Sequence, residues 1–366
     1  MRRGGGILWR AALVLAALGL CWCALWALDR ALPRLRAIPD AAYWTGAGVA
    51  PGTVHRTQSR DFSAVVRINR DGLRGGEQDL GTRPALRVVV VGSSHVFGWG
   101  VDDEATWVRR MEAAVRARGI DAQFLNLGRN GANTEQYATT ALSALPRLRP
   151  DVLLVALGQG IDLSWSQPRD TGQAARALLL RHFPNCMAWM NERRMRAEGT
   201  WPPPESAAPP PDNVPDRAPQ RAFAQGRLEA FPPAQRERFD ALPDPVRTAF
   251  LAGEINPGTV ELPLQAPGTY LMSLRMDDPE SRSRAETLAG YLGEMRGAAA
   301  RVGARMAVLS VPYGAFVNEA AHDFYTALGF ETAPDMTTSS DPDAVYRGIC
   351  TDLGVPFFDC TGSFRE

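Results

Sequence analysis

Apolar residues along this chain fall into two kinds of run. One is a single long stretch, residues 11–28, eighteen positions without a charge. As a helix rising 1.5 Å per residue it reaches ~27 Å, close to the ~30 Å of a bilayer's hydrocarbon core. Asp29 and Arg30 close it. The other runs are short. Leu86–Val91, 124–127, 152–157, 306–311 and 355–358 read as strands. Between them lie stretches with helical spacing: 107–118 ending at Gly119, a helix capped by Thr134 and stopped by Pro150, then 284–302 and 343–353. Strands that are apolar on both faces and alternate with helices predict a parallel sheet covered on both sides.

The alternation is interrupted once. From residue 201 to 219 the chain is proline-rich, with two Pro-Pro-Pro triplets, which predicts an extended, solvated connector. Short helical pieces surround it at 171–181, 217–230, 234–242 and 245–252. The expected organisation is therefore a signal anchor at 1–29, a stalk at 30–60, and a domain over 61–366 with a helical insertion at 164–280. Within that domain, residues 61–75 read as a short strand running into a turn.

The apolar segment ends in bulky residues without a small-residue cleavage site, as an uncleaved anchor does. Arg2, Arg3 and Arg10 precede it; Arg30, Arg34 and Arg36 follow it, so positive-inside counting nearly ties. A ten-residue tail is easily kept inside, and the domain is expected in the periplasm or extracellular space. Three cysteines remain there, Cys186, Cys350 and Cys360, enough for at most one intrachain disulfide. Cys350 with Cys360 is the nearest pair, and free thiols are the equal alternative.

Composition narrows the chemistry. Hydrophobic residues make 45% and charged residues 22%, which excludes a disordered chain or a fibre. Forty basic residues balance forty acidic ones, so there is no electrostatic case for nucleic acid. Every basic residue is arginine. That excludes a P-loop lysine, a Schiff-base lysine and a Ser-Lys dyad. No spacing suggests a metal site. Asp102-Asp103-Glu104 reads as a polar turn at a helix start.

Three loops follow consecutive strands. Gly92-Ser93-Ser94-His95-Val96-Phe97-Gly98 follows the first, Asn126-Leu127-Gly128-Arg129-Asn130-Gly131 the second, and Gly158-Gln159-Gly160-Ile161-Asp162 the third. In open α/β sheets ligands gather at the carboxyl ends of strands. A serine, a glycine-rich loop and an amide-bearing loop at one edge suit a nucleophile and an oxyanion hole.

The segment INRDGLRG…LRVVVVGSSHVFGWGVDDEATW…NLGRNGANTEQY…RPDVLLVALGQGID resembles the SGNH/GDSL hydrolase superfamily, strongly over about 60–165 and moderately over 280–360. It is similar to membrane-anchored or secreted bacterial members that carry N-x-x-G-F-R-G before the sheet. The resemblance implies a three-layer α/β/α flavodoxin-like sandwich and ester hydrolysis or acyl transfer, with no cofactor. It assigns the nucleophile to Ser94 and a backbone oxyanion donor to Gly131. Asp162 matches the aspartate of the third block. Ser93, His95 and Asn130 are the expected substrate-facing neighbours. O-acylated polysaccharides or lipid esters are the expected substrates, and a membrane-bound O-acyltransferase is a candidate partner.

The sequence departs from the family pattern at three points. Ser93 replaces the usual aspartate. Ile161 stands where the family has an oxyanion-donating asparagine, with Gln159 as a substitute if the loop is one residue longer. Losing one such donor costs about 10²–10³ in rate. The family's D-x-x-H block, source of the general base, does not occur in the C-terminal stretch ending Phe364-Arg365-Glu366. His95, His182, His322 and His55 are the histidines that could replace it. Trp165, Trp189 and Trp201 in the insertion either line an acyl or sugar pocket or pack its short helices. Two rival expectations follow: a catalytically degenerate domain that binds glycans or scaffolds an acyltransferase, or a truncated gene product.

Overall fold

The strands assemble as their apolar character requires. A computed structural model describes residues 4–32, 51–58, 62–197, 218–255, 257–339 and 342–366. The strands are β1 (Val54–Gln58), β2 (Ser63–Arg67), β3 (Leu86–Val91), β4 (Ala122–Asn126), β5 (Val152–Gly158), β6 (Arg305–Val311) and β7 (Phe357–Asp359). Strands β3 to β7 form one parallel five-stranded sheet in the order β4-β3-β5-β6-β7. β1 and β2 form a separate antiparallel pair. Thus the segment expected to be stalk contains a paired strand; residues 33–50 and 59–60 of it lie outside the described residues.

Helices fill the connections. They are α1 (Gly4–Ala31), α2 (Ser94–Phe97), α3 (Trp107–Arg116), α4 (Thr134–Leu148), α5 (Ile161–Ser164), α6 (Thr171–His182) and α7 (Pro184–Ala197). Then come α8 (Ala218–Glu229), α9 (Pro233–Asp240), α10 (Asp244–Leu251), α11 (Pro257–Gln265), α12 (Pro279–Arg301), α13 (Glu319–Ala327), α14 (Ala344–Asp352) and α15 (Thr361–Arg365). Of the expected proline-rich connector at 201–219, residues 201–217 lie outside the described residues and 218–219 open α8.

Both faces of the sheet are apolar because side chains alternate along each strand. Val89, Val91, Leu125, Leu153 and Val155 pack in one cluster with Tyr137, Leu145, Leu292, Met295 and Tyr346 from α4, α12 and α14. Val88, Val90, Phe124 and Leu154 point the other way, into a cluster with Val108 of α3. Arg87 is the polar exception in β3. Its guanidinium is buried but satisfied by Gln123 and by the carbonyls of Leu148, Leu80 and Thr82.

Helix α4 starts one residue earlier than the sequence suggests. Asn133, not Thr134, is the cap: its side chain accepts from Gln136 N–H, and Gln136 accepts from Asn133 N–H. Thr134 is the first helical residue, and its hydroxyl meets that of Ser166 at 2.8 Å. The insertion has its own core. Leu228, Phe239, Phe250 and Leu264 cluster with Tyr270, Phe316 and Phe330.

Before the sheet, the Asn69–Gly75 turn holds a buried cation. Asn69 Oδ1 accepts from the N–H groups of Asp71 and Leu73, closing the turn, and Gly72 takes a left-handed φ of 82°. Arg74, 2% exposed, is thereby delivered under the β3–α2 loop. Its Nε donates to Phe97 C=O at 3.1 Å and its Nη2 to Val101 C=O at 3.0 Å. Its Nη1 pairs with the buried Asp103 carboxylate. Burial lowers the guanidinium to about 10, so it stays charged at neutral pH. The acidic run is thus structural: Asp102 accepts from Val65 N–H, and Asp103 also pairs with Arg67.

Removing one partner of a buried ion pair leaves the other charge uncompensated, at about 3–5 kcal/mol. Arg74→Ala is expected to lower unfolding free energy by about that much in urea titrations. Arg70→Ala, at an exposed pair with Glu77, should stay within about 0.5 kcal/mol of the parent.

Candidate functional site

The chain leaves β3 for β4 on one side, then crosses to β5 on the other. The carboxyl end of β3 is therefore a switch point, where loops part and leave a crevice. Gly92 makes the turn there: a Cβ on it would lie 2.4 Å from Val96 and 2.8 Å from Ala156 O. Ser93 is the extended cap residue of α2, and its carbonyl receives the Val96 and Phe97 N–H groups. Ser94 is the first helical residue and half-exposed; its carbonyl accepts the Gly98 and Trp99 N–H groups that close α2. It opens on a surface pocket of about 390 Å³ shared with His95, Trp99, Thr106 and Trp107. Trp107 fixes that wall by donating its indole N–H to His95 C=O at 2.8 Å.

The β4 loop is stitched to this turn. Asn126 Nδ2 donates to Val96 C=O at 2.7 Å, and Arg129 N–H donates to Gly92 C=O at 3.1 Å. Gly128 lies against the α2 backbone so closely that a Cβ would come within 2.2 Å of Phe97 N. Gly131 follows at a left-handed φ of 68°, exposed and with open space around its Cα. Asn130 Oδ1 is buried without a hydrogen-bond partner among the described residues. The structure thus ties the loop bearing Gly131 and Asn130 to the turn bearing Ser93, Ser94 and His95.

The β5 loop behaves differently. Asp162 is buried; its Oδ2 accepts from Gly158 N–H at 2.6 Å and its Oδ1 from the Tyr137 hydroxyl at 2.9 Å. The Tyr137 hydroxyl also meets the Ala132 carbonyl, at 3.2 Å. Ser93 Oγ lies 3.5 Å from His95 Nδ1. Two polar pairs, Asp162 with Tyr137 and Ser93 with His95, therefore stand at this end of the sheet. Burial pushes Asp162 up to about 7 and lowers His95, so the imidazole is neutral at neutral pH.

The amide of Gln159, the substitute donor the sequence suggested, has its partners elsewhere. It is fully buried, and its Nε2 donates to Asp343 at 3.0 Å and Thr361 at 3.1 Å, beside the β7 end of the sheet. Ile161 is not a vacancy either. It packs in the insertion's core with Tyr270 and Leu271, which couples that subregion to the β5 loop.

Among the described residues no imidazole hydrogen-bonds the Ser94 hydroxyl. His95 faces Ser93 and stacks edge-on against Tyr313 at 4.8 Å. His322 sits on α13 with Nε2 at Ala333 C=O, His182 packs on Trp22, and His55 lies in β1. Trp165 borders a larger pocket of about 570 Å³ with Gln265 and Arg275. Trp189 is exposed on α7, and Trp201 lies outside the described residues. All five cysteines are free thiols.

Tyr137, Asn126, Gly128 and Arg74 are the site-building residues that the sequence did not single out for these roles. No family model matches the chain, and no curated protein matches it.

Two outcomes are expected. Asp162 titrates near its ordinary ~3.9 when unfolded, and at about 7 when folded. Between those values the native state holds a proton the unfolded chain has lost. Stability therefore falls as pH rises through that window, by up to roughly 1.4 kcal/mol per unit. Asp343, pushed up to about 6, adds a fall of the same sign. Urea titrations at pH 4.5, 6 and 7.5 should show a shallower fall in Asp162→Asn than in the parent; an identical slope contradicts the assignment. Gly128→Ala forces α2 away from its loop and should cost about 1–3 kcal/mol or more. Gly131→Ala meets no neighbour and should carry only the left-handed backbone penalty of about 1–2 kcal/mol.

Proposed function

We propose that this chain is a serine ester hydrolase or acyltransferase of the SGNH/GDSL type, built on a flavodoxin-like three-layer sandwich. The observation that carries the reading is Ser94: a half-exposed serine at the switch point of a parallel sheet, bordering an open pocket. The β4 loop supports it by bringing glycine backbone alongside the same turn.

In this reading Ser94 Oγ attacks the ester carbonyl and passes its proton to water in the open pocket. The N–H groups of Ser94 and Gly131 hold the negative oxygen that develops. Collapse expels the alcohol, which takes up a proton, and leaves an acyl-serine. Water, or a glycan hydroxyl, then attacks that acyl group and restores the serine. Asp162, Tyr137 and Ser93 position the turn rather than react. The reaction calls for no cofactor.

The apolar segment Ala12–Ala31 has a mean hydropathy of 2.0 and is long and apolar enough to cross a membrane. We read it as an anchor that holds the domain outside the cytoplasm, beside O-acylated glycans or lipid esters. A membrane-bound O-acyltransferase is the partner that fits such a position.

A second reading is favoured by particular contacts. Ile161 offers no side-chain donor, Gln159 is committed to Asp343 and Thr361, and His95 faces Ser93. A serine without a paired base is a weak nucleophile, and such a domain would bind acylated glycans without turning them over.

A fluorophosphonate probe on the detergent-solubilised full chain separates the two. Covalent labelling is expected, abolished by Ser94→Ala and retained in Ser164→Ala. Absent labelling together with retained binding of an acetylated glycan would establish the binding domain instead.

A further inference from the structure

We propose that the α6–α7 hairpin is a bilayer-contacting element, locked to the foot of α1, that seats the domain against the lipid surface in one orientation. The proposal rests on reading α1 as a membrane anchor, and it concerns what that anchor is fastened to.

The lock is polar. Asp29, near the end of α1, is only 4% exposed. Its Oδ1 accepts from Cys186 N–H at 2.7 Å. Cys186 is the third residue of α7, whose first N–H groups have no partner within their own helix. Asp29 therefore caps α7 from another helix. Asn185 Nδ2 donates to Asp29 C=O at 2.8 Å, and Asn185 Oδ1 accepts from Arg147 at 2.8 Å. Arg147 belongs to α4, which covers the sheet. A continuous set of hydrogen bonds thus joins the apolar helix to the domain core.

The depth follows from helix geometry. Trp22 contacts His182 and Phe183 at the α6–α7 corner, with ring centroids 5.2 and 4.7 Å away. Trp22 precedes Asp29 by seven residues, about 10 Å along a helix. The corner therefore lies alongside the span itself, about 10 Å from Asp29, at the deep end of the roughly 5–10 Å at which amphipathic helices lie in the headgroup and acyl boundary.

The outward surface suits that depth. Leu178 and Leu179 of α6 are 49% and 40% exposed, and Trp189 and Met190 of α7 are 38% and 58% exposed. Arg30 lies over the Trp26 ring at 3.5 Å and Arg193 over Trp189 at 4.9 Å. An indole flanked by a guanidinium is the side-chain chemistry of a membrane–water interface, the ring at headgroup level and the cation toward phosphate. Because this patch continues from the apolar helix itself, its occupant is lipid.

The test uses the full chain reconstituted in phosphatidylcholine vesicles containing a fifth phosphatidylglycerol. Bimane is attached at Leu179→Cys or Met190→Cys, with Ala114→Cys on α3 as the control across the sheet and the parent's own labelling subtracted. Nitroxide-bearing lipid is expected to quench the 179 and 190 probes at least twofold and to leave the 114 probe unchanged. Asp29→Ala should still float with vesicles but lose at least half of the quenching at 179. Flotation resistant to carbonate reports the anchor separately. Flotation without quenching at 179 and 190 overturns the proposal and leaves the anchor standing. Failure to float overturns both. Probes shielded without lipid quenching, in a species of doubled mass, would assign the patch to a second copy and also overturn it.

Discussion

The buried Arg74–Asp103 pair is the constraint on which the candidate site depends. A guanidinium in the interior is tolerable only with a counter-charge and satisfied N–H groups. Arg74 obtains both by holding Asp103 and the carbonyls of Phe97 and Val101. Those carbonyls belong to the end of α2 and the segment after it. The position of Ser94 at the start of that four-residue helix is thus set from beneath, by a side chain delivered from the turn that precedes the sheet. A helix this short has little stability of its own, so its geometry is imposed by Arg74 below, Asn126 alongside and the close approach of Gly128.

Much of the scaffold was legible because a parallel sheet covered on both faces must be written in continuous apolar runs. β3 matches its sequence-based bounds, and β5 and β6 extend theirs by one residue at one end. α7 and α11 were not legible. The first is rich in arginine and lacks a clean apolar stripe, and the second carries Pro263 within it. Both are held by tertiary contacts, which local pattern does not encode. The shift from Thr134 to Asn133 as cap turns on Gln136, whose side chain completes the box from the third helical position.

At the site, the loops were legible and the wiring was not. Ser94 stands out because glycines surround it after an apolar strand. Tyr137 gave no such signal: it occupies a helical core position, and its polar partner Asp162 is 25 residues away. Gln159 shows the opposite failure. Its amide suggested an oxyanion donor, but its partners Asp343 and Thr361 lie 184 and 202 residues on, and contacts that distant decide where an amide points. Ile161, which looked like a lost function, gained a packing role with the insertion.

The contact between Asp29 and the first turn of α7 has a consequence for how the molecule comes together. The cap of one helix resides on another that precedes it by more than 150 residues. A shortened polypeptide beginning after residue 30 would retain every strand, yet the amides opening α7 would have to find water instead. Removal of that first helix would therefore fray the outer hairpin first, leaving the sheet and Ser94 intact.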